Sequence, residues 1–218
     1  MNKFLIAAVG AALAAASATA AAADANGAFF INAGVGQAQY HVGHTDGLGY
    51  QLDDKDTAGA LRFGYAWNVA NGFNLGVEGG YVNLGKLVAK YHAQSQDASV
   101  IVNEKADIEA SGWMLGANGK YTFSNKWFVS ARAGWLRSTG DATYRYEEIY
   151  ADAPRYSEYA SGSADGDGWY GGVGVGYDFA PNFSLGLNYD NYHAKAKVED
   201  VSAGGNIGTY MLTAEYRF

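Results

Sequence analysis

Eight segments of period-two alternation, connections that are short and long by turns, and aromatic residues gathered at both ends of the segments predict an all-β fold. The predicted architecture is an eight-stranded antiparallel up-and-down transmembrane β-barrel. Composition agrees with a sheet that must curve and close, since the chain holds 30 Gly, 17 Tyr, 10 Phe and 5 Trp but only 2 Pro.

In chain order, the first segment (28–41) sets Phe29, Ile31, Ala33 and Val35 against Asn32, Gly34 and Gly36. The second (55–68) sets Leu61, Phe63, Tyr65 and Trp67 against Ala60, Arg62, Gly64 and Ala66. The third (73–86) opposes Phe73, Leu75, Val77 and Tyr81 to Asn74, Gly76, Glu78 and Gly80. In the fourth (106–123), Trp113, Leu115, Ala117 and Tyr121 face away from Met114, Gly116, Asn118 and Lys120. The fifth (127–144) puts Trp127, Val129, Ala131 and Trp135 opposite Phe128, Ser130, Arg132 and Gly134. The sixth (163–179) places Trp169, Val173, Val175 and Tyr177 against Gly172, Gly174, Gly176 and Asp178. The seventh (183–197) sets Leu185, Leu187 and Tyr189 against Ser184, Gly186, Asn188 and Asp190. The last (207–218) splits into Tyr210, Leu212, Ala214, Tyr216 and Phe218 on one face, and Thr209, Met211, Thr213, Glu215 and Arg217 on the other. Side chains alternate across a strand, so each segment has one apolar face and one polar or small face.

That pattern fits a soluble sandwich as well as a membrane barrel, and the connections separate the two. Residues 68–72, 124–126 and 180–182 are tight turns rich in Asn, Gly or Pro, whereas 43–54, 88–105, 145–162 and 198–206 are long and polar. Short turns at one end and long loops at the other are the asymmetry of outer-membrane barrels. On the apolar faces Trp127 and Trp135, and likewise Trp169 and Tyr177, lie eight residues apart, roughly 26 Å along a strand. With a tilt of ~40° this spans about 20 Å, near the apolar band framed by two aromatic girdles in such barrels. A water-soluble sandwich has no use for paired girdles.

The N-terminus carries Lys3, a short apolar run from Phe4 to Leu13, and A-x-A matches around residues 18–23, which predict a secretory signal peptide over 1–23 and a barrel domain over 24–218. Without that segment 14 basic and 22 acidic residues remain, a net charge of −8, so no nucleic-acid partner is expected. Cysteine is absent, which excludes a disulfide framework and thiol chemistry.

With its strands placed, the chain resembles the transmembrane domain of outer membrane protein A and, more broadly, the small opacity-protein and OmpX-like barrels. The resemblance is carried by AFFINAGVGQAQYH (28–41), FNLGVEGGYVNLGKL (73–87), GYDFAPNFSLGLNYD (176–190) and the closing EYRF (215–218). It implies an eight-stranded barrel in the outer membrane of a Gram-negative bacterium, in contact with its lipid and lipopolysaccharide. It also implies that the terminal aromatics Tyr216 and Phe218 signal to the barrel-assembly machinery. The longer relatives continue into a peptidoglycan-binding domain, and this sequence stops at Phe218, so no such partner is expected. Of the family's salt-bridge gate, Glu78 matches the glutamate, while Asn118, Gly176 and Gly186 align with its other charged members.

Alternation sends Arg62, Glu78, Lys120, Arg132 and Glu215 into the lumen. If the 68–72 turn pairs Trp67 with Phe73, Arg62 faces Glu78; a shift of two leaves them diagonal neighbours. An eight-stranded interior is one that side chains can just fill, and charges there must be paired or hydrated. Gly34, Gly64, Gly80, Gly116, Gly134, Gly172 and Gly176 on the same faces are expected to leave room for water, which keeps a gated ion path open as a reading.

No cofactor or metal site is expected. The loop-end histidines His41, His44, His92 and His193 read as solvated. Lipid acyl modification would need a nucleophile and a base within reach. Pairing Phe179 with Phe183 puts His193 opposite Trp169, six residues from Ser163, so no triad forms. The 143–162 stretch carries Tyr144, Tyr146, Tyr150, Tyr156 and Tyr159 with Glu147, Glu148 and Glu158. Tyrosine supplies large amphipathic contact area at low entropic cost, which suits recognition; the alternative is that some of these tyrosines extend strands above the membrane. The resulting expectation is a non-enzymatic barrel with a structural and surface-interaction, adhesion-like role through loops that contact a host or cell-surface ligand. The alternative is a narrow, low-conductance channel gated by the lumen charges.

Overall fold

The computed structural model describes residues 27–41, 50–95, 99–150, 154–198 and 201–218. The expected signal peptide, His44 and the tips of the long loops lie outside the described residues. The strands are β1 (Gly27–His41), β2 (Tyr50–Asp53), β3 (Lys55–Ala70), β4 (Phe73–Gln94), β5 (Val100–Thr122), β6 (Trp127–Tyr150), β7 (Tyr156–Ala180), β8 (Phe183–Val198) and β9 (Val201–Arg217). All pairings are antiparallel, β1 pairs with β3 on one side and with β9 on the other, and β4 pairs with β5, so the sheet closes on itself. β2 was not anticipated. It is the outer end of the second barrel strand, cut from β3 at Asp54, and both pieces pair with β4. The ring therefore has eight strands, the second in two pieces.

The aromatic and aliphatic faces point outward. Phe29, Phe63, Trp113, Leu115, Trp127, Trp135, Trp169, Val173, Leu187 and Tyr210 are all exposed on this surface. In water so broad an apolar belt would be strongly unfavourable, whereas in a bilayer it is the solvated surface. The opposite faces fill the lumen. At the long-loop end of the lumen Tyr40, Val82, Leu84, Met114, Leu136, Tyr170, Tyr192, Ile207 and Met211 form one buried apolar cluster.

Two sequence expectations change in register and length. The first hairpin turns at Asn71–Gly72, with Gly72 at φ 76°, so β3 runs on to Ala70, which pairs with Phe73 across a bulge. The tight turn and extra residue shift the register by two, setting Arg62 opposite Gly80 and Glu78 opposite Gly64, so Arg62 and Glu78 are the diagonal neighbours expected for that shift. Further bulges lie between Asn83 and Lys86 and between Asp178 and Ala180. At the first of these Gly85 has φ 73°, and a Cβ there would press on Asp56 and on the Thr57 carbonyl. Ala180, not Phe179, pairs with Phe183, yet His193 still faces Trp169 as expected.

The long connections are shorter than the sequence suggests because strands occupy most of them. β4 and β5 extend to Gln94 and Val100, and β6 and β7 to Tyr150 and Tyr156. Measured from Trp135 of the outer girdle, β6 continues for about 50 Å of strand. A five-strand sheet, β2-β4-β5-β6-β7, thus projects beyond the membrane band.

Candidate functional site

The lumen holds its charges in two tiers. Nearer the short turns, Lys120 Nζ donates to Asp178 (2.7 Å) and to Ser184 Oγ (2.9 Å), lies 3.7 Å from Glu215, and sits 4.1 Å from the Phe128 ring centroid. Glu215 accepts from Arg217 Nε at 2.9 Å and Asn32 Nδ2 at 3.4 Å. Above them, Arg62 Nη2 donates to Asp190 (2.9 Å) and Tyr192 Oη (2.7 Å), with Arg132 3.8 Å from the other Asp190 oxygen. Glu78 accepts from Tyr170 Oη (2.8 Å) and Asn118 Nδ2 (3.0 Å). Arg62 and Asp190 are 1% and 0% exposed, so neither charge can rely on bulk water.

All five predicted lumen charges point inward, but they do not form one network. Arg62 is joined to Asp190, not to Glu78, and Lys120 and Glu215 belong to the other tier. Asp178, Asp190, Tyr170 and Tyr192 complete the tiers and were not singled out from the sequence, although parity already put Asp178 and Asp190 on inward faces. The inward glycines do not leave the expected water space. A Cβ on Gly134 would come within 2.7 Å of the Tyr170 ring, and Gly172 and Gly176 are covered by Asp190 and Phe128 from neighbouring strands. One void of about 20 Å³ is bordered by Asn32, Glu78, Lys120, Arg132 and Glu215. That is room for about one water molecule.

The projecting sheet carries the remaining candidates. The β5–β6 and β6–β7 registers run without a shift, so parity continues from the barrel: even residues of β5, β6 and β7 stay on the lumen side and odd ones point outward. Tyr144, Tyr146, Tyr150 and Tyr156 therefore share the inner face, and Tyr159 lies on the outer one. Tyr146 and Tyr156 meet edge-to-face at 6.2 Å. A hydrogen bond to Glu148 raises the Tyr150 phenol pKa, while desolvation and then Glu104 and Glu158 raise that of Tyr144.

On the outer face the bulge at Gly85 swaps β4 parity and brings Lys90 into line with Lys105 and Arg145. Gln51, Lys90, Lys105, Arg145 and Tyr159 stand directly opposite one another across five strands. A parallel row, His92, Asn103, Glu147 and Ser157, lies two residues further out. These two rows, together with Tyr91, Glu104, Tyr146 and Glu158 between them, border a cleft of about 690 Å³. Arg145 lies 5.6 Å from the Tyr159 ring centroid, Lys105 contacts Asp107 at 2.8 Å, and Glu147 contacts Arg155 at 2.9 Å.

Other singled-out residues are dispersed. His193 stacks on Trp169 at 5.7 Å and meets Asn206, while Ser163 pairs with Asp141. His92 meets Asn103 at 2.7 Å. At the chain end Phe218 N donates to the Phe29 carbonyl, and the Tyr216 hydroxyl accepts from Asn182. Among the described residues no group of three or more His, Cys, Asp or Glu side chains is arranged to hold a metal ion.

Comparison with solved structures finds several similar chains. The chain is similar to Ail, the attachment invasion locus protein of Yersinia pestis, at 20% identity over 88% of this chain and 99% of that one, with a TM-score of 0.44. It is similar to OprG from Pseudomonas aeruginosa at 15% identity over 88% and 96%, TM-score 0.44. Neisserial surface protein A matches at 12% identity over 87% and 97%, TM-score 0.42. None of the curated proteins matches the sequence. A family model for the outer membrane protein beta-barrel domain matches residues 8–218. The chain belongs to the outer membrane protein β-barrel family.

Proposed function

We propose that this outer-membrane barrel is a surface-interaction protein, with a closed barrel as anchor and the projecting sheet β2-β4-β5-β6-β7 as the recognition element. The observation that carries this reading is the contrast in space between the two ends. The lumen retains a void of about 20 Å³, whereas the projecting sheet presents a cleft of about 690 Å³ and long exposed strands. Ion flow through the barrel would require the Leu84, Leu136 and Tyr192 layer to move and the Arg62–Asp190 pair to part. The reading includes export by the 1–23 signal peptide, insertion through the assembly machinery with Tyr216 and Phe218 as the signal, and contact with lipopolysaccharide around the outer girdle. It assigns the protein no catalysis.

The test is to shorten the β6–β7 hairpin, replacing residues 145–159 by an Asn-Gly turn that joins Tyr144 to Ala160, a pair already in register. Cells displaying the shortened barrel should lose adherence to the surface that the wild type binds, while the heat-dependent gel shift of the folded barrel persists. Unchanged adherence with a folded barrel overturns the reading.

A further inference from the structure

The two faces of the projecting sheet carry different charges. Lys86, Lys90, Lys105 and Arg145 lie on the outer face, mixed with Asp107, Glu109, Asp141 and Glu147. Among the described residues of β4 beyond Gly85 and of the outer ends of β5, β6 and β7, the inner face carries Glu104, Glu148 and Glu158 and no Lys or Arg. Its other positions are tyrosine, alanine, glycine or aliphatic. Lys195 of β8 meets this side of β7 at Gly166, about 26 Å of strand further down than Glu158. The acids alternate with phenols. Tyr91, Glu104, Tyr146 and Glu158 stand directly opposite one another across β4 to β7, so Tyr146 lies between two carboxylates on strands about 10 Å apart. Two residues further out Glu148 faces Tyr156 and accepts hydrogen bonds from the phenols of Tyr146 and Tyr150. Tyr144, Tyr150 and Tyr156 are exposed.

We propose that this inner face docks a lysine- or arginine-rich segment of a partner protein. A cationic side chain over the Tyr146 ring is attracted by the ring face and reaches the Glu104 or Glu158 carboxylate by a charge-assisted hydrogen bond. An extended segment lying along β6 repeats its side chains every two residues, roughly 6.6 Å, which is also the interval between the Tyr146 and Glu148 rows. Successive cations therefore meet successive acids. From Tyr144 to Tyr150 the face runs for about 20 Å, and four strands make it about 15 Å wide. That suits one segment of about six residues and falls well short of the ~800 Å² per partner of a domain interface. A metal ion does not fit, since no three acids among the described residues converge on one point. The outer cations lie across the sheet, at about the Debye length of physiological salt, so they weaken the inner field without reversing it. The inference rests on the reading of the projecting sheet as the recognition element and adds the chemistry of the partner.

The experiment is fluorescence anisotropy of labelled peptides with the refolded barrel in an uncharged polyoxyethylene detergent. The probes are a hexapeptide of alternating lysine and serine and its glutamate–serine counterpart, with spermine as a competitor. The wild type should bind the basic peptide saturably, more weakly as salt rises, and should ignore the acidic one. The variant Glu104→Gln/Glu148→Gln/Glu158→Gln should bind at least about 10-fold more weakly. Glu109→Gln/Asp141→Asn/Asp165→Asn removes as much negative charge from the outer face and should stay within about 2-fold of the wild type. Tyr146→Leu should lose about 3-fold, whereas Tyr146→Phe, which keeps the ring, should not. The heat-dependent gel shift and the unfolding midpoint of each variant separate loss of the site from loss of the fold. No saturable binding of the basic peptide, full affinity in the inner-face variant, or an equal loss in the outer-face variant overturns the site. Spermine bound as tightly as the peptide overturns the protein segment as occupant and assigns a small organic cation. If the hairpin-shortened barrel loses adherence while the wild type ignores the basic peptide, only the partner's chemistry falls. If shortening leaves adherence intact, the recognition reading itself falls.

Discussion

The same sheet treats charge in two opposite ways along its length. Inside the barrel the cations are matched with anions: Arg62 and Arg132 share Asp190, Lys120 lies between Asp178 and Glu215, and Arg217 pairs with Glu215. On the projecting sheet Lys90, Lys105 and Arg145 stand beside one another instead. Burial accounts for the first arrangement, because an unpaired charge at 1% exposure has neither water nor a partner to stabilise it. Exposure permits the second at a modest cost, since water solvates each charge.

The contrast is sharpest at Asp190. Asp190→Ala leaves Arg62 buried without its carboxylate and should destabilise the barrel by about 3–5 kcal/mol, read as a lower urea midpoint in micelles. An unchanged midpoint would mean that water or Glu78 replaces the carboxylate and that pairing is not what holds the tier. Removing both charges should be far milder. Arg62 Nε and Nη1 have no protein hydrogen-bond partner, so Arg62→Met with Asp190→Leu should lie within about 1.5 kcal/mol of the wild type or above it. A double variant as unstable as Asp190→Ala would show that the pair contributes more than mutual neutralisation. Lys120→Met is expected in between, at about 1–3 kcal/mol, since Asp178 keeps Ser184 and Thr122 as donors. The smallest effect belongs to the projecting row, where Lys90→Gln/Lys105→Gln/Arg145→Gln should move the same midpoint by less than about 0.5 kcal/mol or raise it. A clear loss there would place Lys90, Lys105 and Arg145 among the structural charges.

What the sequence revealed of this arrangement follows from which signals are local. Period-two alternation is a property of each strand by itself, so the inward placement of Arg62, Glu78, Lys120, Arg132 and Glu215 could be read without knowing any partner. Which strand faces which residue depends on turns and bulges, and there the reading slipped. The bulges at Val69 and Gly85 change register through backbone conformation, and among the described glycines only Gly72 and Gly85 take up positive φ. Arg62 and Glu78 are accordingly diagonal rather than opposite, and the carboxylate that pairs with Arg62 is Asp190, which reaches it across the lumen from β8. The projecting strands read as loops for a different reason. Residues 145–162 alternate in charge and hydroxyl groups rather than in hydrophobicity, since neither face meets lipid or a core. The row of cations is invisible in the sequence, as it exists only once two registers and one bulge are known.

The central claim is that the barrel is a closed anchor and that its activity lies on the sheet above it. The most direct measurement is planar-bilayer recording of the refolded mature protein, with folding verified by its heat-dependent gel shift. A silent membrane is the predicted result, because the buried Leu84 and Leu136 layer and the Arg62–Asp190 pair would have to move before ions could pass. Discrete openings in the wild type, altered in size or frequency by Glu78→Ala, would contradict the account and make the lumen charges a gate.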